Sequence, residues 1–295
     1  MSTPSRAEFH DTAPAKVNLT LRVLGRRRDG YHNIESLVAF AKECDRLTFL
    51  PGGALKLLVR GPAARAAGKP ADNLVLKTAR LLAAEIEDLT LGCFKLTKNL
   101  PVAAGLGGGS ADAAAALRLL ARANRLKLDD PRILKIARQI GADVSVCLDP
   151  RSRVMRGVGE ILSNPIRIPK LSVVLINPGV ALGTKLVFAR YDRRKSRAGA
   201  KQSSRAMLIP QWRSAFVAML AVDRNDLEPA ALALVPAIAA VLEVLRDAPG
   251  CRLARMSGAG ATCFGIFASS RAAAAAARKI KAAHPRWWVR ASVLS

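Results

Sequence analysis

"PVAAGLGGGSADAAAALRLLARA", Pro101 to Ala123, sets four glycines and a serine directly ahead of an alanine-rich run. The first N–H groups of a helix lack internal partners, and the helix dipole adds positive charge at that end, so phosphate oxygens satisfy both. A phosphate gets that close only where side chains are missing and the backbone takes positive φ, which Gly105, Gly107, Gly108 and Gly109 allow. The pattern predicts a helix from about Ala111 to Arg125, with Ser110 placed to cap it, touch a phosphate or ligate a magnesium ion. A glycine-rich connector with no ligand is the competing reading. No Gly-Lys-Ser/Thr follows, which excludes a Walker A loop, and the Gly-x-Gly-x-x-Gly pattern of dinucleotide folds is missing.

Working outward, "LGCFKLTKNLP" reads as a strand feeding the loop, and "DNLVLKTARLLAAEI" as a helix capped by Asp72 or Asn73. "AKVNLTLRVLG" alternates Val17, Leu19, Leu21 and Val23 with Lys16, Asn18, Thr20 and Arg22, which predicts one half-buried strand. "DRLTFL" and "LKLLVRG" are further strand-like runs. "DDPRILKIARQIG" predicts a helix with Pro131 in its first turn and Gly141 at its end, and "ADVSVCLDPRSRVMRGVGEIL" reads as strand with a polar turn. The pattern restarts around Ser163 to Lys170, so the domains are set at 1–164 and 165–295. The second half opens with the strand "LSVVLINPG". Its helices are "TKLVFARYD", "SAFVAML", "NDLEPAALALVPAIAAVLEVL" with Asn225 as N-cap, and "SRAAAAAARKIKAA"; "RLARMSGAGATCFGIFA" is strand, turn, strand. The class is α+β with two domains.

With 51% hydrophobic and only 4% aromatic residues, the core of this 295-residue chain is built from Ala, Leu, Val and Ile. No apolar stretch reaches the roughly 18 to 20 residues that cross a bilayer, and "PAALALVPAIAAVL" is broken by Pro236. The start, "MSTPSRAEFHDTAPAK", lacks a signal-type apolar run, so a cytoplasmic enzyme without membrane partners is expected. Five scattered cysteines form no Cys-x-x-Cys pair and read as reduced thiols. A formal charge of +25 makes polyanions candidate partners. Its clusters are "GRRRDG" (Gly25 to Gly30) and "ARYDRRKSRAGAKQSSR" (Ala189 to Arg205); the second lacks aromatic interleaving of the sort single-stranded nucleic acid platforms use and reads as an exposed loop, so no specific nucleic acid is expected.

"PVAAGLGGGSADAA" resembles the phosphate-binding loop of the GHMP kinases. "PAKVNLTLRVLGRRRDGYHNIESL" resembles that family's first motif and "RMSGAGATCFGIF" its third, in the same order and over most of the chain. "RRDGYH", "GADV", "GVGE", "NPG" and "NDLEPAA" resemble the branch acting on 4-diphosphocytidyl-2-C-methyl-D-erythritol. The resemblance implies an N-terminal domain like ribosomal protein S5 domain 2, a C-terminal GHMP α+β domain, and an active site in the cleft they share. It implies ATP and Mg2+ as cofactors, a cytidine-diphosphate-linked methylerythritol as substrate, and a monomer or homodimer.

Phosphoryl transfer needs positioned phosphates, neutralising charge and a group to take the hydroxyl proton. By resemblance, ATP lies on Pro101, Ala103, Ala104, Gly105, Leu106, Gly107, Gly108, Gly109, Ser110 and Ala111. Asp143 is the base, and Lys16 neutralises charge while holding Asp143. Tyr31 and Phe188 stack on cytosine, His32 bonds its edge, and Asn18 and Thr184 complete the substrate site. Ser257 to Ala261 pack against the phosphate loop. Read singly, Asp143 is a cap, Lys16 a strand-face lysine, His32 a turn residue and Phe188 core. Ser145, where proline is usual, and Arg156, where an acidic or small residue is common, depart from the branch pattern. Another GHMP kinase, for homoserine, mevalonate or a sugar, and a basic nucleic-acid-binding protein on an S5-like fold are the alternatives.

Overall fold

The computed structural model describes residues 8–195 and 208–295. In chain order come strands β1 (Phe9–Asn18), β2 (Arg22–Arg26), β3 (His32–Pro51) and β4 (Lys56–Arg60). Helix α1 (Leu74–Glu85) and strand β5 (Gly92–Thr97) precede α2 (Gly108–Ala123), α3 (Pro131–Ile140) and α4 (Ala142–Leu148). Strands β6 (Arg153–Gly157), β7 (Ile161–Leu162) and β8 (Leu171–Asn177) lead to α5 (Thr184–Lys195), α6 (Arg213–Val222), α7 (Glu228–Leu234) and α8 (Ala237–Arg246). The chain ends with β9 (Cys251–Met256), β10 (Cys263–Phe267), α9 (Ser270–Ala283) and β11 (Trp288–Leu294).

The chain divides into two compact units, and it passes from one to the other more than once. The first holds residues up to Ala15, Glu43–Val102 and Gly107–Pro150. There Arg46–Pro51 of β3 pairs antiparallel with β5, and β4 runs parallel to β5. Helices α1 to α4 pack on one another around α2, which is buried from Ala111 to Leu117 and again at Leu119 to Ala121. Alanine at most of these positions lets neighbouring helices come close on several sides at once. Asn73 caps α1 by accepting from Val75 N–H (3.0 Å), and Asp130 caps α3 by accepting from Arg132 N–H (2.9 Å) with Pro131 in the first turn.

The second unit holds Lys16–Lys42, Ala103–Leu106 and Arg151–Ser295. Strand β8 is buried along its whole length, with β11 and β10 pairing antiparallel along its two edges and β9 beyond β10. Its residues Val174 and Ile176 join Val187, Val241, Leu245 and Ile280 in one apolar cluster. The early part of β3 pairs with β2 and β6.

Several expectations are corrected. The alternating segment 15–25 is two strands, with a break at 19–21, and its polar face is not wet: Lys16, Asn18 and Thr20 are as buried as Val17 and Leu19. The predicted strand at Ala142–Leu148 is helix α4, whose Val144, Val146 and Cys147 pack on the α-helices of the first unit; apolar alternation over seven residues does not separate helix from strand. The long helix foreseen from Asn225 is α7 and α8, interrupted before Pro236, whose ring and missing N–H end the first. Residues 193–195, read as loop beyond the helix "TKLVFARYD", extend α5, since arginine and lysine are good helix formers; the rest of that stretch lies outside the described residues. Strand β11 carried no readable period.

Arg255, buried on β9, ties distant segments of the second unit by donating to the carbonyls of Leu19 (2.8 Å), Leu220 (2.7 Å) and Asp223 (2.5 Å). Arg255→Met strands three buried acceptors, and urea unfolding is expected to report a loss of about 2 to 4 kcal/mol.

Candidate active site

Helix α2 starts at Gly108, three residues before the predicted start, and its N-cap is Gly107 in the left-handed region (φ 62°) with no side-chain cap. Ser110 is therefore inside the first turn rather than at the cap. Ala111 N–H takes the carbonyl of Gly107 (2.8 Å), the first such bond of the helix. The amides of Gly108, Gly109 and Ser110 precede it and have no intrahelical acceptor, which is what an anion requires. Ala103, upstream in the loop, also takes positive φ (50°).

Beneath this turn the first unit buries a charge cluster that the sequence reading did not foresee. Lys98 Nζ lies 2.5 Å from Asp45 Oδ2 and 2.5 Å from Asp112 Oδ2. Asp45 Oδ1 also accepts from the amides of Asn99 (2.5 Å) and Leu100 (2.9 Å). Burial pushes the Asp112 carboxyl up, with Lys98 opposing and Asp45 reinforcing, to about 8. For Lys98 burial acts downward, but the two carboxylates outweigh it and hold the ammonium above its ordinary value. No local signal marks Asp45 and Lys98 as partners, since 53 residues separate them. Asp143 lies in the first turn of α4 in this same unit, half-buried.

In the second unit, residues of all three motifs interlock. Lys16, buried, donates to Asn18 Oδ1 (2.8 Å), whose Nδ2 donates to Ser36 Oγ (2.7 Å). Ser257 Oγ accepts from Asn18 N–H (3.1 Å) and donates to the carbonyl of Gly105 (2.9 Å). Ala104 accepts from Thr262 N–H (3.0 Å), and Leu106 from Lys16 N–H (2.9 Å). A Cβ on Gly105 would stand 2.8 Å from Gly260 O and closer still to Ser257 O. The third motif thus packs on residues 103–106, as expected.

His32 and Phe188 meet each other: their rings stack at 4.6 Å with an interplanar angle of 21°. Tyr191 meets His32 edge-on, and Asp192 Oδ1 lies 2.7 Å from His32 Nε2. Thr184, Phe188 and Asp192 repeat every fourth residue and so share one face of α5, a signal that was present for the missed Asp192. Tyr31 is 65% exposed and stands apart from that stack. The basic cluster beside it is partly paired, Arg26 with Asp192 (3.6 Å) and Arg27 with Asp29 (3.1 Å). Arg156 Nε donates to the buried Glu35 Oε2 (2.9 Å), a contact within the unit for that departing residue.

Comparison with known proteins agrees with this arrangement. The family model described as GHMP kinases N terminal domain matches residues 73–149, and that described as GHMP kinases C terminal matches residues 212–286. This chain belongs to the GHMP kinase family. As a GHMP kinase it is an ATP-dependent small-molecule kinase of two-domain α+β architecture. It is 55% identical over 292 residues to the 4-diphosphocytidyl-2-C-methyl-D-erythritol kinase of Rhodopseudomonas palustris (strain BisB18), covering 97% of this chain and 95% of the relative. To the Bradyrhizobium diazoefficiens enzyme of the same name it is 54% identical, covering 95% and 96%. Among solved GHMP kinases, the crystal structure of 4-(cytidine 5'-diphospho)-2C-methyl-D-erythritol kinase superposes with a TM-score of 0.75 at 31% identity, covering 97% of this chain and 99% of the other. A homoserine kinase from Cytophaga hutchinsonii shares the fold at a TM-score of 0.69 and 19% identity, covering 99% and 96%. Among the described residues no helix is long and apolar enough to cross a membrane.

The raised Asp112 carboxyl has a consequence for stability. An acid whose folded pKa exceeds its unfolded one binds more protons when folded, so its contribution is complete at low pH and is lost as pH rises toward about 8. Urea titrations of Asp112→Asn and wild type are expected to diverge in the variant's favour from about pH 5 to about pH 8, by at most about 1.4 kcal/mol per pH unit, and to run parallel above about pH 9.

Proposed function

We propose that this chain phosphorylates the 2-hydroxyl of 4-diphosphocytidyl-2-C-methyl-D-erythritol with ATP, in the non-mevalonate route to isoprenoid precursors. The observation that carries the proposal is the 55% identity along 97% of the chain with a kinase of that name. We place the enzyme in the cytoplasm as a monomer or homodimer.

The chemistry follows from groups already described. The amides that open α2 hold ATP phosphates against a helix end whose dipole favours negative charge. The Asp143 carboxylate accepts the proton of the substrate 2-hydroxyl, whose oxygen attacks the terminal phosphorus as the bond to ADP breaks. The Lys16 ammonium, oriented by Asn18 at 2.8 Å, offsets negative charge on the reacting oxygens. His32 hydrogen-bonds the cytosine edge, Tyr31 and Phe188 offer ring faces, and Thr184 lies on the same helix face as Phe188. Asp192 fixes the orientation of His32 through its short contact at Nε2.

A magnesium ion fits these residues. Such a cation keeps water and phosphate oxygens around it and takes few protein ligands. Ser110, half-buried in the first turn of α2 and not its cap, is the protein oxygen assigned to it. Bound there, Mg2+ would neutralise phosphate charge.

A coupled ADP-release assay tests the reading. Asp143→Asn is expected to lower kcat by about 10² to 10⁴ with KM for both substrates little changed; full turnover in a folded variant removes Asp143 as base. ADP release with homoserine but not with the cytidyl substrate would sink the substrate assignment and leave the kinase class standing. His32→Ala is expected to raise KM for the cytidyl substrate about tenfold, the worth of one hydrogen bond, while KM for ATP stays put.

A further inference from the structure

The phosphate-binding turn is tied at both ends to one buried ionic group. Asn99 and Leu100, the last residues before the loop begins at Pro101, donate their amides to Asp45 Oδ1 (2.5 and 2.9 Å). Asp45 Oδ2 takes Lys98 Nζ, and the same ammonium reaches Asp112 Oδ2, both at 2.5 Å. Asp112 stands one helical turn after Gly108 and so on the same face of α2. A Cβ on Gly108 would lie 3.3 Å from Lys98 Nζ and 3.8 Å from Asp45 Oδ2, so this cluster lies directly against the backbone of the helix's first residue. All three side chains are buried, with exposures of 0% for Asp45, 3% for Lys98 and 3% for Asp112.

We propose that Asp45, Lys98 and Asp112 form a positioning clamp that holds the chain leading into the phosphate loop and the first turn of α2 in their ATP-binding geometry before nucleotide arrives. The inference rests on the reading that ATP phosphates lie on the amides of Gly108 to Ser110. None of the three touches nucleotide; they act through the backbone they hold. Three ionisable groups in a dry interior are a poor way to gain stability, because desolvation offsets their attraction and an apolar substitute of similar volume often does as well. Directional bonds to a buried charge do something an apolar contact does not, which is to select one backbone arrangement. Loops that bind anions through amides gain affinity when the ordering cost is met beforehand.

The clamp separates from a merely structural role by which substrate feels its loss. Asp112→Ala frees the α2 end while leaving Lys98 paired with Asp45, and alanine suits the helix. Titration with a nonhydrolysable ATP analogue and Mg2+ is expected to give affinity lowered about tenfold, with KM for the cytidyl substrate within about threefold. Asp112→Asn, which keeps an oxygen for Lys98, is expected to recover affinity to within about threefold. Unchanged ATP affinity in a folded Asp112→Ala overturns the clamp, and so does an equal loss for both substrates. Failure of the wild type to bind the analogue would instead strike the phosphate reading itself, and the clamp with it. Hydrogen exchange on the unaltered protein decides the question without any variant. The amides of Asn99 and Leu100 are expected to be protected before nucleotide is added, and exchange at the rate of an exposed loop would overturn the proposal.

Discussion

No side chain fits at Gly105. Carbonyl oxygens of Ser257 and Gly260 stand where its Cβ would go, and Gly258 is in turn crowded by Asn18 and by the Gly105 carbonyl. Bare backbone at these points lets the start of the chain, the middle of the loop and the turn before β10 share hydrogen bonds through Ser257 Oγ. Lys16 and Asn18 inherit their places from that contact. The glycines of the loop thus differ in their surroundings: Gly105 packs against the turn at 257–260, whereas the amides of Gly108 and Gly109 have no intrahelical acceptor.

Polar burial recurs in both units. Lys16, Asn18, Ser36 and Thr20 form a hydrogen-bonded run inside the second unit, and Asp45, Lys98 and Asp112 an ionic one inside the first. Each group is costly to bury alone and tolerable only with its partners. Such networks have few alternative arrangements, so they hold backbone and side chains to one geometry where an apolar core of alanine and leucine would allow slippage.

The stack of His32 on Phe188, with Asp192 at the imidazole, joins a hairpin strand to a helix remote in sequence. Part of the large positive charge is spoken for nearby, since Arg26 and Arg27 have acidic neighbours.

Legibility followed range. The cap at Asn73, Pro131 in the first turn of α3, the glycine loop and the small-residue turn at 257–261 could be read directly, because capping, positive φ and turn formation are decided within a few residues. Lys16, His32, Phe188 and Asp143 are named by resemblance to the family's motifs, and their roles stand as proposed above. Burial of the polar face at Lys16 to Thr20, the helical state of Ala142–Leu148 and the pairing of β11 with β8 along its whole length could not be read. Each depends on what packs against the segment from far away in the chain, and a seven-residue run of alternating apolar residues satisfies helix and strand equally until its neighbours choose. The clamp at Lys98 is the clearest case: sequence determined that a lysine and two aspartates exist, and only the fold decided that they meet, since charges 53 and 14 residues apart have no local reason to pair until water is excluded around them.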